Sequence, residues 1–175
     1  MTWQQLLIDG YTRIYDELER ALSGLTQGDL NHQPQHDCNS MGWLAWHLIR
    51  VQDGQISDMM GAEQVYIKDG WYTGFGRQPE PKDVGFGHSS EQVAAFKSPD
   101  IAVIMNYEKA VLERTKSFIS SLTAEGLDRE LNEPWFQPLP TVGVRLISIM
   151  SDALQHAGQI AYVRGLLKGK GWSSI

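Results

Sequence analysis

The chain has 175 residues, 42% hydrophobic and 21% charged, a composition that suits one globular domain over residues 1–175 and excludes disordered or fibrous classes. Its net charge of −6, with no Lys/Arg cluster, argues against a nucleic-acid partner, because phosphate neutralisation supplies most of such affinity. Cys38 is the single cysteine, so no intrachain disulfide forms. No apolar run is long enough for a bilayer, and the acidic first stretch lacks the layout of a signal peptide, so the expected setting is cytoplasmic, away from membranes.

The pattern from Thr2 to Leu25 predicts a helix. Trp3, Leu7, Tyr11, Ile14, Leu18, Ala21 and Leu25 recur at gaps of three and four, which puts one face against a core. Thr26 with Asp29 fits a cap for a short turn, and the polar NHQPQHDCNS stretch reads as a loop. His32 and His36 there are expected on the surface. Asn39 or Ser40 caps a second helix through MGWLAWHLIRVQDGQISDMM. In it Leu44, Leu48 and Val51 mark an apolar face with His47 beside it. Trp43 and Trp46 are expected in the core, and Arg50 with Asp53 reads as a helix-surface ion pair.

From Gly61 to Lys97 the periodicity breaks. Glycines alternate with Trp71, Tyr72, Phe75 and Phe86, and a loop this long in a compact domain is commonly functional. A short helical stretch is expected over Ser90–Phe96. Ser98-Pro99-Asp100 predicts the start of a third helix running to Leu122. After a second loop holding Trp135 and Phe136, Thr141 caps a fourth helix that ends near Gly169 and Gly171. Four long amphipathic helices predict an all-α, four-helix bundle with long connecting loops.

Asp152 and His156 stand four residues apart on the fourth helix. That is about 40° around the axis and one turn along it, so both side chains reach one point. Ile149, Ile160 and Val163 share the face. The pair reads either as a hydrogen-bonded couple or, with His47 from the second helix, as two nitrogens and one oxygen suited to zinc or another late first-row metal. Gln155 and Gln159 bracket His156 and are candidates to orient it. His88 is either a proton shuttle near that point or a loop histidine bonded to backbone. Cys38 has no activating neighbours apart from His36 and is discounted as a nucleophile.

The segments NSMGWLAWHLIRVQD and LQHAGQIAYVRGLL resemble the two signature helices of the DinB-like superfamily. GWYTGFG, VGFGHSSEQVAAF and LTAEGLDRELNEPW are similar to the same group. The resemblance covers nearly the whole chain and implies a four-helix bundle with a divalent metal, zinc or nickel, held by His47, Asp152 and His156. The commoner superfamily pattern has histidine at all three places. The mycothiol-dependent maleylpyruvate isomerase branch similarly carries a carboxylate, so Asp152 is compatible with metal, and its role as ligand, hydrogen-bond acceptor or base stays open.

Related branches are thiol-dependent S-transferases and isomerases. The resemblance therefore implies a low-molecular-weight thiol and a small-molecule electrophile, with Trp71, Phe75 and His88 expected around the substrate pocket. Metal-assisted hydrolysis and a non-catalytic metal- or ligand-binding bundle are the alternatives. Homodimers occur among similar proteins, so the resemblance allows one here.

Overall fold

The computed structural model describes residues 1–169 and 171–172 of the chain. Its elements are α1 (Trp3–Leu22), α2 (Gln27–Asn31), α3 (Met41–Met60), α4 (Val65–Lys68), α5 (Trp71–Gly74), α6 (Ser90–Ala95), α7 (Ile101–Ser121), α8 (Ala124–Asp128) and α9 (Val142–Lys168). The described residues contain no strand, only an isolated bridge between Glu130 and Thr141. None of their helices is long and apolar enough to cross a membrane.

The caps are the ones the residue types dictate. Thr2, Ser40 and Thr141 each accept a backbone N–H from the first turn of α1, α3 and α9, and such a cap contributes about 1 kcal/mol. Thr26 and Asp29 form the reciprocal capping box of α2. Two boundaries differ from the periodicity. α1 stops at Leu22 rather than Leu25, because Gly24 turns the chain at φ 73°. α7 starts at Ile101, with Asp100 extended at the cap position. Ser98 precedes a proline, where helical backbone is disfavoured.

α3 packs on α9 and α7, and α1 packs on the same two helices. Around the bundle the order is therefore α1, α7, α3, α9, with α1 diagonal to α3 and α7 diagonal to α9. Two apolar clusters fill the interior. One joins Leu18 and Leu22 of α1, Trp46 and Ile49 of α3, Ile104 and Tyr107 of α7, and Ile160 of α9. The other joins Tyr11 and Ile14, Ile56, Ile119, and Leu146 with Ile149. The late part of α1 and α9 thus meets the early part of α3 and α7. α1 runs parallel to α9, and both run against α3 and α7. α3 and α7 are neighbours that run the same way, so the chain must travel back along the bundle between them, and the glycine-rich stretch supplies that length.

Arg50 and Asp53 are not a surface pair. Both are 0% exposed, with Arg50 Nη1 3.8 Å from Asp53 Oδ2. The Asp53 carboxylate accepts the backbone N–H groups of Val65 and Tyr66 at 2.9 and 2.8 Å and the Tyr107 hydroxyl at 2.8 Å. The stretch after α3 folds back over these two residues, and its backbone polar groups satisfy charges that would otherwise be costly to bury.

Candidate metal centre

Because α3 and α9 pack side by side, His47 on α3 faces Asp152 and His156 on α9. One donor atom from each residue lies within 4.8 Å of the others. The two imidazole rings meet edge to face, with centroids 4.8 Å apart, and His156 Nε2 is 3.4 Å from Asp152 Oδ1. Side-chain exposure rises across the cluster, from a buried His47 to 17% for His156 and 38% for Asp152. The trio therefore sits at the edge of the core, open on its α9 side.

Each ring is oriented by a bond on its far nitrogen. His47 Nδ1–H donates to the Val84 carbonyl, which leaves Nε2 with a free lone pair. His156 Nδ1 bonds Gln159 Oε1 at 2.8 Å, which turns its Nε2 toward Asp152. The second carboxylate oxygen of Asp152, Oδ2, is buried and has no hydrogen-bond partner. Two imidazole nitrogens and a carboxylate with a spare buried oxygen fit a His₂-carboxylate metal site, as zinc and other late first-row ions favour.

The protonation tendencies follow from the same contacts. Burial lowers the His47 pKa, against the opposing Val84 bond, and keeps the ring neutral. The Asp152 bond raises that of His156. Burial pushes Asp152 up, but hydrogen bonding to His156 and the charges of both histidines outweigh it, and the net shift is downward. A cation requires an anionic carboxylate and two neutral imidazoles. Asp152 and His47 are therefore ready for one, whereas His156, held toward its protonated form by Asp152, must release a proton to bind it.

The Pro79–His88 segment closes over His47. Gly85 adopts φ 88°, and a Cβ on it would lie 2.8 Å from Trp43, 2.9 Å from Trp46 and 3.1 Å from His47 Nδ1. Only glycine permits this approach. Trp43 stacks on His47 at 4.9 Å with 9° between planes. Trp43 and Trp46 are 5% and 0% exposed, so both are core residues, and Trp43 also packs on a member of the trio.

His88 does not reach the trio through a free nitrogen. Its Nδ1 accepts from Trp43 Nε1 at 3.2 Å, and its Nε2 bonds Asp83 Oδ1 at 3.2 Å. Trp71 and Phe75, expected around the substrate pocket, turn into the core and pack on Tyr107 at 5.8 and 5.9 Å. Gln159 bonds His156, whereas Gln155 bonds back to the Ser151 carbonyl at 3.1 Å. His32 and His36 are exposed.

Two clefts flank the trio on α9. One, of about 700 Å³, is lined by Val144, Ile147, Ser148, Ser151, Asp152 and Gln155. The other, of about 730 Å³, includes Cys38, Leu44, Gln155, Gln159, Tyr162 and Leu166. Sequence reasoning missed Val84, whose contribution is a backbone carbonyl with no residue signature. It also missed Gly85, for which the close glycine spacing in Gly85-Phe86-Gly87 was the only available hint.

A family model described as the DinB superfamily matches residues 11–160. The chain belongs to the DinB superfamily. Its fold is similar to a crystal structure titled as the conserved protein of locus from Enterococcus faecalis, with a TM-score of 0.88 and 28% sequence identity. The match covers 97% of this chain and 99% of that one. No curated protein matches. In this DinB-superfamily chain, then, the helical fold is shared with a solved relative over nearly its whole length, and the chemistry rests on the chain's own residues.

Proposed function

We propose that this DinB-superfamily protein is a divalent-metal-dependent enzyme that joins a low-molecular-weight thiol to a small electrophile or isomerises one through such a thiol. The observation that carries the reading is the trio itself: one donor atom each from His47, Asp152 and His156 converges within 4.8 Å where α9 opens to solvent, and Asp152 keeps a buried oxygen without a partner. His47, Asp152 and His156 would hold the ion, zinc or nickel. A bound ion of that kind keeps a thiol as thiolate at neutral pH.

The protein's own residues supply the rest. Val84 and Gln159 orient the two imidazoles. The cleft beside Asp152 has an apolar rim, with Val144 and Ile147 each 54% exposed. That rim favours an electrophile with an apolar body, since burying such surface is worth about 25 cal/mol per Å².

Elemental analysis of untagged protein, alongside His47→Ala and His156→Ala, tests the metal. Near-stoichiometric zinc or nickel in the wild type and its loss in both variants is the expected result. A screen of apolar electrophiles with and without small thiols then tests the chemistry. Turnover that ignores thiol supports metal-assisted hydrolysis, with Asp152 acting as base. Metal uptake without turnover supports a binding bundle.

A further inference from the structure

Arg50 is fully buried, one turn along α3 from His47, and it spends its donors on the segment that covers His47. Its Nε donates to the Asp83 carbonyl at 3.2 Å, and Nη2 donates to the Glu80 and Pro81 carbonyls, each at 3.2 Å. Nη1 donates to Gln64 Oε1 at 2.8 Å, and Gln64 in turn donates to the Pro81 carbonyl at 3.1 Å. The guanidinium lies over the Tyr66 ring at 3.9 Å. A rigid planar fork with five N–H groups is suited to gathering several carbonyls in one geometry, which a lysine cannot reproduce.

The next residue after Asp83 is Val84, whose carbonyl receives His47 Nδ1–H. Beyond it, Gly85 sets its backbone against Trp43, Trp46 and His47. The Asp83 side chain is itself held by Arg77 Nε at 2.9 Å and by His88 at 3.2 Å, and His88 is held by Trp43. The segment is thus fastened on both sides of the one carbonyl that touches His47.

We propose that Arg50 and Gly85 are positioning residues that hold the Val84 carbonyl on His47 Nδ1, so that His47 offers its unprotonated Nε2 to the cluster. An imidazole carries its proton on whichever nitrogen has the better acceptor, and that choice decides which nitrogen binds a metal. The consequence for metal rests on the metal reading above. The tautomer itself does not.

The test uses the full-length protein with ¹⁵N-labelled histidine. Long-range ¹H–¹⁵N spectra of metal-free protein at neutral to mildly alkaline pH report the tautomer of each ring. Competition with a chromophoric chelator reports zinc affinity. Wild type is expected to show His47 protonated on Nδ1. In Gly85→Ala and Arg50→Lys, His47 is expected to lose that single tautomer and zinc to bind roughly 10–100-fold more weakly, the usual effect of removing a ligand's orienting partner. His156, oriented separately by Gln159, should keep its wild-type tautomer. A purely structural role for Arg50 would lower the melting temperature without moving the His47 tautomer.

Gly85→Ala leaves the Arg50 network intact and decides the question if Arg50→Lys does not fold. A folded variant that keeps the wild-type His47 tautomer and a zinc affinity within twofold of wild type overturns the proposal. Wild-type protein that takes up no zinc sinks the metal reading alone, because the tautomer arm is measured without metal.

Discussion

Asp152 Oδ1 lies 3.4 Å from His156 Nε2 across one turn of α9, and each group moves the other's protonation. His156 is raised, first by the Asp152 bond, so its stabilising contribution is complete below its unfolded value of 6.5 and is lost as pH rises through the raised folded value. Asp152 is lowered in net from 3.8 despite burial, so its contribution is present above 3.8 and is lost as pH falls through the folded value. The metal-free pair therefore stabilises the fold most between these limits. A cation displaces the proton on His156, so the rise in melting temperature caused by zinc should grow from about pH 5 to about pH 8. Asp152→Asn should weaken both effects. A zinc-induced shift that is flat with pH would count against the trio as its site.

Glu108 on α7 is 0% exposed, and neither of its carboxylate oxygens has a partner. Burial, helped by the negative charge of Asp53, pushes its pKa up to about 8. The neutral acid is thus the native form at pH 7. Its contribution to stability is complete below the unfolded value of 4.5 and is lost as pH rises through about 8. Denaturant midpoints of wild type should fall across that window, and Glu108→Gln should flatten the fall. Glu108→Leu should stabilise by about 1–3 kcal/mol, because it removes a buried polar group that lacks a partner. Equal pH slopes in wild type and Glu108→Gln would assign the slope elsewhere.

Gly42 sits in the first turn of α3, where a Cβ would lie 2.4 Å from Ser98 Cβ and 3.0 Å from the Leu30 carbonyl. Ser98 is 1% exposed, so neither wall has solvent to move into. Gly42→Ala should cost about 1–3 kcal/mol in urea unfolding, as overpacking does. An unchanged midpoint would show that the chain entering α7 yields.

Ile147 forms part of the apolar rim beside Asp152 but holds none of the three donors. Ile147→Ser should leave metal content unchanged and raise KM for an apolar electrophile several-fold, with kcat nearly kept. A loss of kcat at constant KM would place Ile147 against the reacting atoms and revise the seat of the electrophile.

The order of legibility follows the range of the interactions. Asp152 and His156 were readable because one helix, with its fixed 3.6-residue turn, sets their relation without help from the rest of the chain. The caps at Thr26 and Thr141, and at Ser40 as one of two candidates, were readable for the same local reason. The end of α1 at Leu22 was not, since the apolar periodicity continues to Leu25 and only the turn at Gly24 breaks it. Trp71 and Phe75 look like lid residues in a glycine-rich stretch. Their rings nevertheless find Tyr107, because large apolar surface is buried wherever the fold offers a partner.

The four long helices, their apolar faces and the chemical character of the candidate ligands were legible in the residues alone, because periodicity, capping and side-chain chemistry act over a few residues, whereas the short α4, α5 and α8 lie in stretches that read as loops. The tertiary structure alone decided that His47 meets α9, that Arg50 and Asp53 are interior, and that Val84 aims the His47 ring. Those outcomes depend on backbone groups tens of residues away. A carbonyl is present at every position and acquires a role only when packing brings a donor to it.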